Sequence, residues 1–204
     1  KVTDANDILT TDNSDPFKVQ GIFDIMTPDG CGTLIIGGPD YNITWSTTGT
    51  VPQVNLDYST NSGLNWTPIT GAPIANTGAK LWTVLDAISD FCRVRVTDAN
   101  DPDAKDTSAG DFFIKGKLQI TSPTDSTGSW LVGTTQPITW QVAGSIANVK
   151  LEFSVDGAAY EPIPLADNLA ATPSSFDWQI PDRISSQVRV KITNKNDPTV
   201  FDES

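Results

Sequence analysis

Histidine is absent from this 204-residue sequence, and with it go the commonest general base, the Ser–His triad and the usual zinc ligand. Glutamate is nearly absent as well, with 3 Glu against 22 Asp. The short Asp side chain bonds to nearby backbone N–H groups and makes turns, whereas Glu favours helix, so the skew predicts many turns and few helices. Cations are scarce: 13 Lys and Arg against 25 acids leave a formal charge of −12. Such a surface repels phosphates and anionic lipid, which speaks against nucleic acid and membrane as partners. No apolar run approaches the roughly 20 residues of a membrane span, and Lys1 opens no signal-peptide pattern, as a mature or excised piece would show. There is no Gly-rich phosphate loop after a strand, no Ser-nucleophile motif, and no carboxylate pair with a legible apolar pocket around it. An enzyme is not expected.

What the sequence does contain is a repeat. VTDAND begins at Val2 and again at Val96, and ITNKND begins at Ile192. ITW ending at Trp45 returns ending at Trp140; Trp82 returns as Trp178, and Thr27-Pro28 as Ser122-Pro123. The intervals run from 94 to 96 residues, a period of about 95. Within each period, short segments alternate between apolar and polar and are separated by Gly, Pro, Asn and Asp, which is the signature of a β-sandwich. Val54, Leu56 and Tyr58 share one face and Asn55 and Asp57 the other; Cys92, Val94 and Val96 point inward and Arg93 and Arg95 outward. In the first unit strands are expected near 22–26, 41–46, 53–58, 66–69, 80–84, 92–98 and 111–115. The expected fold is all-β, tandem Ig-like sandwiches of about 95 residues. Residues 21–115 form one unit, 116–204 a second lacking its final strand, and 1–20 the C-terminal hairpin of a preceding unit. An unpaired sheet edge invites aggregation, so the gap is expected to be filled, either by the next repeat of a longer array or by a neighbouring chain.

Ser59 to Trp66, STNSGLNW, resembles the Asp-box of sialidase propellers, Ser-x-Asp-x-Gly-x-x-Trp. Propeller blades would recur about every 40 to 50 residues, which this chain does not do. The stretch reads instead as a hairpin turn in which Asn61 caps, Gly63 takes φ > 0 and the aromatic covers the turn. Trp45, Trp140, Trp82 and Trp178 fit inward alternation and belong to the core, which leaves Trp66 and Trp130 as the candidate sugar platforms. Asp98, Asn100, Asp101, Asp103 and Asp106 fall within nine positions and offer oxygens to calcium, although without the Gly and Glu of an EF-hand loop; Asx turns account for them equally well. Cys31 and Cys92 both lie in the first unit. A bridge between them closes a loop of about 60 residues, worth about 4 kcal/mol in the chain-entropy model. The alternative is two buried thiols in a reducing cytosol, and the extracellular cast of the composition favours the disulfide. Asn42 and Asn65 each begin an acceptor tripeptide for glycosylation.

One shared pattern runs through Ser122-Pro123, Gly133, Ile138-Thr139-Trp140, Phe153-Ser154, Gly157, Tyr160, Trp178 and Val188 to Asp197. It resembles the Ig-like or fibronectin-III-like repeats of large secreted bacterial and archaeal surface proteins, which are similar in turn to the N-terminal domain of Ser/Thr-rich fungal wall proteins. The resemblance implies a structural or adhesive segment at the cell surface or outside the cell: a surface layer, stalk, adhesin or filament. Its partners would be adjacent repeats or neighbouring copies, with contacts near residues 20–22 and 115–117. A glycan-binding accessory module of a secreted enzyme is the alternative. Fold alone decides neither.

Overall fold

Residues that alternate in the sequence alternate in space, and the sheets follow from that. The computed structural model describes residues 1–124 and 126–204, and among these there is no helix. A short hairpin comes first, β1 (Val2–Thr3) with β2 (Thr11–Asp12). The first unit then runs through β3 (Ile22–Thr27), β4 (Thr33–Ile35), β5 (Tyr41–Thr48), β6 (Gln53–Ser59), β7 (Thr67–Pro68), β8 (Ile74–Ala75), β9 (Ala79–Trp82), β10 (Ser89–Asp98), β11 (Lys105–Thr107) and β12 (Phe112–Lys115). The second has β13 (Lys117–Ser122), β14 (Thr135–Ala143), β15 (Asn148–Ser154), β16 (Glu161–Pro162), β17 (Leu169–Ala170), β18 (Ser175–Gln179), β19 (Arg189–Asn194) and β20 (Phe201–Glu203).

Each unit is an Ig-like sandwich of a three-stranded sheet on a larger one. In the first, β3-β5-β9 faces a sheet ordered β4-β12-β10-β6-β7, with β11 also on β10 and β8 on β6. In the second, β13-β14-β18 faces β16-β15-β19-β20, with β17 on β15. The β4–β12 pair is parallel, while the other ladders are antiparallel. One core holds Ile43, Trp45, Leu56, Trp82, Val94, Phe112 and Ile114. The other holds Ile138, Trp140, Leu151, Trp178, Val190 and Ile192 at the repeated positions. The buried indoles at the ITW position keep a partner: Trp45 Nε1 donates to Asn76 Oδ1 at 2.8 Å and Trp140 Nε1 to the Ala171 carbonyl at 3.0 Å.

A single carboxylate in each unit stitches the two sheets. Ile25 lies on β3, an edge strand, and its N–H donates to Asp106 Oδ2 on β11 at 2.7 Å; Ile120 N–H does the same to Asp202 Oδ2 on β20, again at 2.7 Å. The hairpins that carry these aspartates share one register, Val96 opposite Asp106 and Ile192 opposite Asp202, and the leading hairpin repeats it with Val2 opposite Asp12.

The second unit ends on β20, the counterpart of β11, and among the described residues it has no counterpart of the closing strand β12. Two features differ from expectation. The short strands β4, β8 and β11 were not legible as strands, because each is only two or three residues long and owes its form to the neighbour it pairs with. The expected Cys31–Cys92 bridge is absent, for both thiols are free. Cys92 points into the core beside β12, where burial pushes its thiol up to about 11, and Cys31 sits exposed on a loop.

The closing strand carries much of the first core, since Phe112 is fully buried between the sheets. Phe112→Ala is expected to cost about 3–5 kcal/mol. Chemical denaturation followed by tryptophan fluorescence should show the first unit unfolding at lower denaturant, with the transition of the second unit unmoved.

Candidate functional site

The hairpin turn of the first unit is built by one hydroxyl. Ser59 Oγ accepts the N–H groups of Asn61 and Gly63 and donates to Asn61 Oδ1, which accepts Asn65 N–H. Gly63 has φ +88°, and a Cβ there would meet the Trp66 ring at 3.1 Å. Ser154, Asp156 and Gly157 rebuild the same turn in the second unit. Trp66 lies over this turn with the Arg95 guanidinium 4.4 Å from its ring centre, and Arg95 in turn donates to Asp57. Trp130 packs edge-on against Trp178 at 6.3 Å on the rim of the second core. Asn42 and Asn65, the glycosylation candidates, are both exposed.

The acidic loop does not gather its carboxylates. Asp98 Oδ1 accepts Asn100 N–H at 2.8 Å, an Asx turn, and Asp106 faces the other way, onto Ile25. Asp101 and Asp103 receive Lys18 Nζ at 2.6 and 2.9 Å, and Asp101 also takes Gln20 Nε2 at 2.8 Å. The Lys18 ammonium and the Gln20 amide hold the Asp101 carboxyl below the ordinary aspartate range, and both carboxylates raise Lys18 in return. Among the described residues no three acidic or cysteine side chains converge where a metal could sit.

The same arrangement recurs at the junction of the two units. Lys115 Nζ donates to Asp197 Oδ2 at 2.6 Å and to Thr199 Oγ1 at 3.0 Å. One period earlier, Gln20 stands where Lys115 stands, Asp101 where Asp197 stands, and Asp103 where Thr199 stands. A residue of the linker thus grips the turn of the unit that follows, between β10 and β11 in the first unit and between β19 and β20 in the second. Asp197 raises Lys115; burial pushes the Asp197 carboxyl up, but Lys115 and the Thr199 donors outweigh it and hold it low. A second grip runs in the opposite sense, with Ser145 donating its N–H and its hydroxyl to the two oxygens of Asp86. Glycine makes the approach possible: Gly144 has φ +86°, and a Cβ on it would lie 2.8 Å from Ile36 Cδ1. Sequence reasoning located contacts near 115–117 but not Asp86, Ser145 or Thr199. The available signal was the recurrence of an Asp two residues before Asp103 and Thr199, in step with a polar linker residue.

No family model matches the sequence, and no curated protein does. Among solved structures the chain is similar to one in the crystal structure of Dpr2 Ig1-Ig2 in complex with DIP-Theta Ig1-Ig3. The identity is 10%, the TM-score 0.31, and the match covers 89% of this chain and 65% of that one.

Asp106→Ala strands the Ile25 amide and is expected to cost the first unit about 1–3 kcal/mol. Denaturation with calcium and with chelator should give the same loss. The junction predicts a pH dependence. Asp197 is lowered, so its contribution is present above the ordinary aspartate range and lost as pH falls through its lowered value; Lys115 is raised, so its contribution persists until pH exceeds that raised value. Lys115→Met should therefore lower the melting temperature of the second unit by about 2–4 °C near neutral pH, and the effect should shrink as pH falls below the ordinary aspartate range, as read by calorimetry.

Proposed function

We propose that this chain is a structural or adhesive segment of an extracellular repeat protein, such as a surface layer, stalk, adhesin or filament, whose partners are adjacent repeats or neighbouring copies. The observation that carries this reading is the repeated grip: Lys18 and Gln20 on Asp101 before the first unit, Lys115 on Asp197 before the second. A linker tied at two points to the next unit transmits orientation, which a tether between independent binding modules does not need. The strongly acidic, histidine-free composition and the many Asx turns support an extracellular setting. The resemblance to bacterial and archaeal surface repeats belongs to the same proposal. A glycan-binding module has less support, because the Trp66 face already carries Arg95.

Small-angle scattering tests the reading. The wild type is expected to fit one inter-unit geometry, and the double variant Asp86→Ala/Lys115→Ala to require a broad ensemble. A wild type that itself requires the ensemble would sink it.

A further inference from the structure

The outer faces of the two three-stranded sheets can be compared position by position, because their ladders share one register. Asn42 on β5 stands opposite Leu81 on β9, and Pro137 on β14 stands opposite Asp177 on β18. On the other side of the middle strand both ladders are interrupted at the same place, by Met26 between Ile25 and Thr27 on β3 and by Thr121 between Ile120 and Ser122 on β13. Asn42, Leu81, Met26, Pro137, Asp177 and Thr121 are all exposed. Their chemistry differs. The second unit presents Thr121 and Asp177 to water, whereas the first presents Met26 and Leu81, which are 59% and 61% exposed.

Between these two apolar side chains the middle strand carries Asn42-Ile43-Thr44, an acceptor tripeptide for glycosylation. Alternation turns Ile43 into the core, where it is fully buried, and sends the Asn42 amide and the Thr44 hydroxyl out on one face. Leu81, directly across the ladder, has its Cβ about 5 Å from that of Asn42. The end of β3 is held beside the same residue, since Thr27 Oγ1 donates to the Asn42 carbonyl at 3.0 Å. In the second unit, where the flanking residues are polar, Pro137 replaces the asparagine. The apolar pair and the acceptor thus occur together in one unit and are both missing from the other.

We propose that Asn42 carries an N-linked glycan whose first sugar residues lie over Leu81 and Met26. A pyranose ring has an apolar C–H face to set against them and hydroxyls to turn to water. A protein partner fits the patch less well: two side chains are a small part of the ~800 Å² that a stable interface takes from each partner. A cover attached at the middle of the patch needs no such area, because the covalent bond holds it in place. The co-substrate is an oligosaccharide on a polyprenyl phosphate. A bond forms from Asn42 Nδ2 to the anomeric carbon as the bond from that carbon to the phosphate oxygen breaks. The oxygen leaves with the electron pair, and the amide proton passes to a base of the transferase. In the folded sheet the Thr44 and Thr27 hydroxyls are bonded to each other at 2.8 Å, so the transfer belongs to the extended chain before the sheet closes.

This inference rests on the extracellular setting proposed above, and the two are tested apart. Glycopeptide mass spectrometry of the protein isolated from the cells that make it is expected to show the Asn42 peptide heavier by whole sugar residues, with fragments that place them on Asn42. Asn42→Gln made in the same cells should lose that mass completely, and Met26→Thr/Leu81→Asp, which installs the second unit's residues, should keep it. Asn42→Gln is also expected to bind more of a hydrophobic dye than the wild type, and Asn42→Gln/Met26→Thr/Leu81→Asp no more than the wild type. Near-UV circular dichroism checks that each variant is folded. A bare Asn42 peptide, sugar confined to Asn65, or dye binding that Asn42→Gln leaves unchanged overturns the inference. Labelling intact cells with a membrane-impermeant amine reagent reads the setting separately. Labelled protein with a bare Asn42 strikes the glycan and leaves the setting standing, and unlabelled, unsecreted protein with a bare Asn42 strikes both.

Discussion

A sandwich is closed by its last strand, and in this chain that strand is also the linker. Phe112 and Ile114 seal the first core from β12, and Lys115, the last residue of the same strand, reaches across to Asp197 of the second unit. Core closure and inter-unit orientation therefore depend on one four-residue segment. Its backbone pairs with β4 and β10, which leaves its direction little freedom; the position of Lys115 is fixed before any charge is considered.

Charge then selects the arrangement. With 13 cations and 25 acids, nearly half of the carboxylates in this protein cannot have a basic partner of their own. The cations that exist are placed where they hold structure together: Lys18 and Lys115 at the junctions, Arg95 between Asp57 and the Trp66 ring, Arg93 on Asp111. Other aspartates bond to their own backbone, as Asp98 and Asp156 do, or to the amide of an opposing sheet, as Asp106 and Asp202 do. A cluster such as 98–106, which could supply calcium oxygens by its spacing, is thereby divided among three unrelated tasks. Spacing along the chain counts donors but does not tell which way each one turns.

The fold class was legible because its signals are local and repeated. Alternation in residues 54–58 and 92–96, inward tryptophans one period apart, and the Ser-x-Asn-x-Gly turn each act within a few residues, and the second copy of each removes the accident from the first. Strands β4, β8 and β11 were illegible for the opposite reason. Two or three residues carry no period, and β4 is a strand only because β12 arrives beside it. The disulfide expectation failed on direction as well: Cys92 turns into the core, and Cys31 lies on an exposed loop.

What the sequence by itself determined is the period, the strand faces, the turn chemistry and the absence of histidine-dependent sites, since these depend on residue type and near neighbours. Tertiary structure alone decided which partner each polar group received. It set Lys18 on Asp101, Ser145 on Asp86 and Asp106 on the Ile25 amide, pairs separated by 59 to 83 residues. An ion pair is specified by two surfaces that meet only after the sheets have formed, and no pattern along the chain records that meeting.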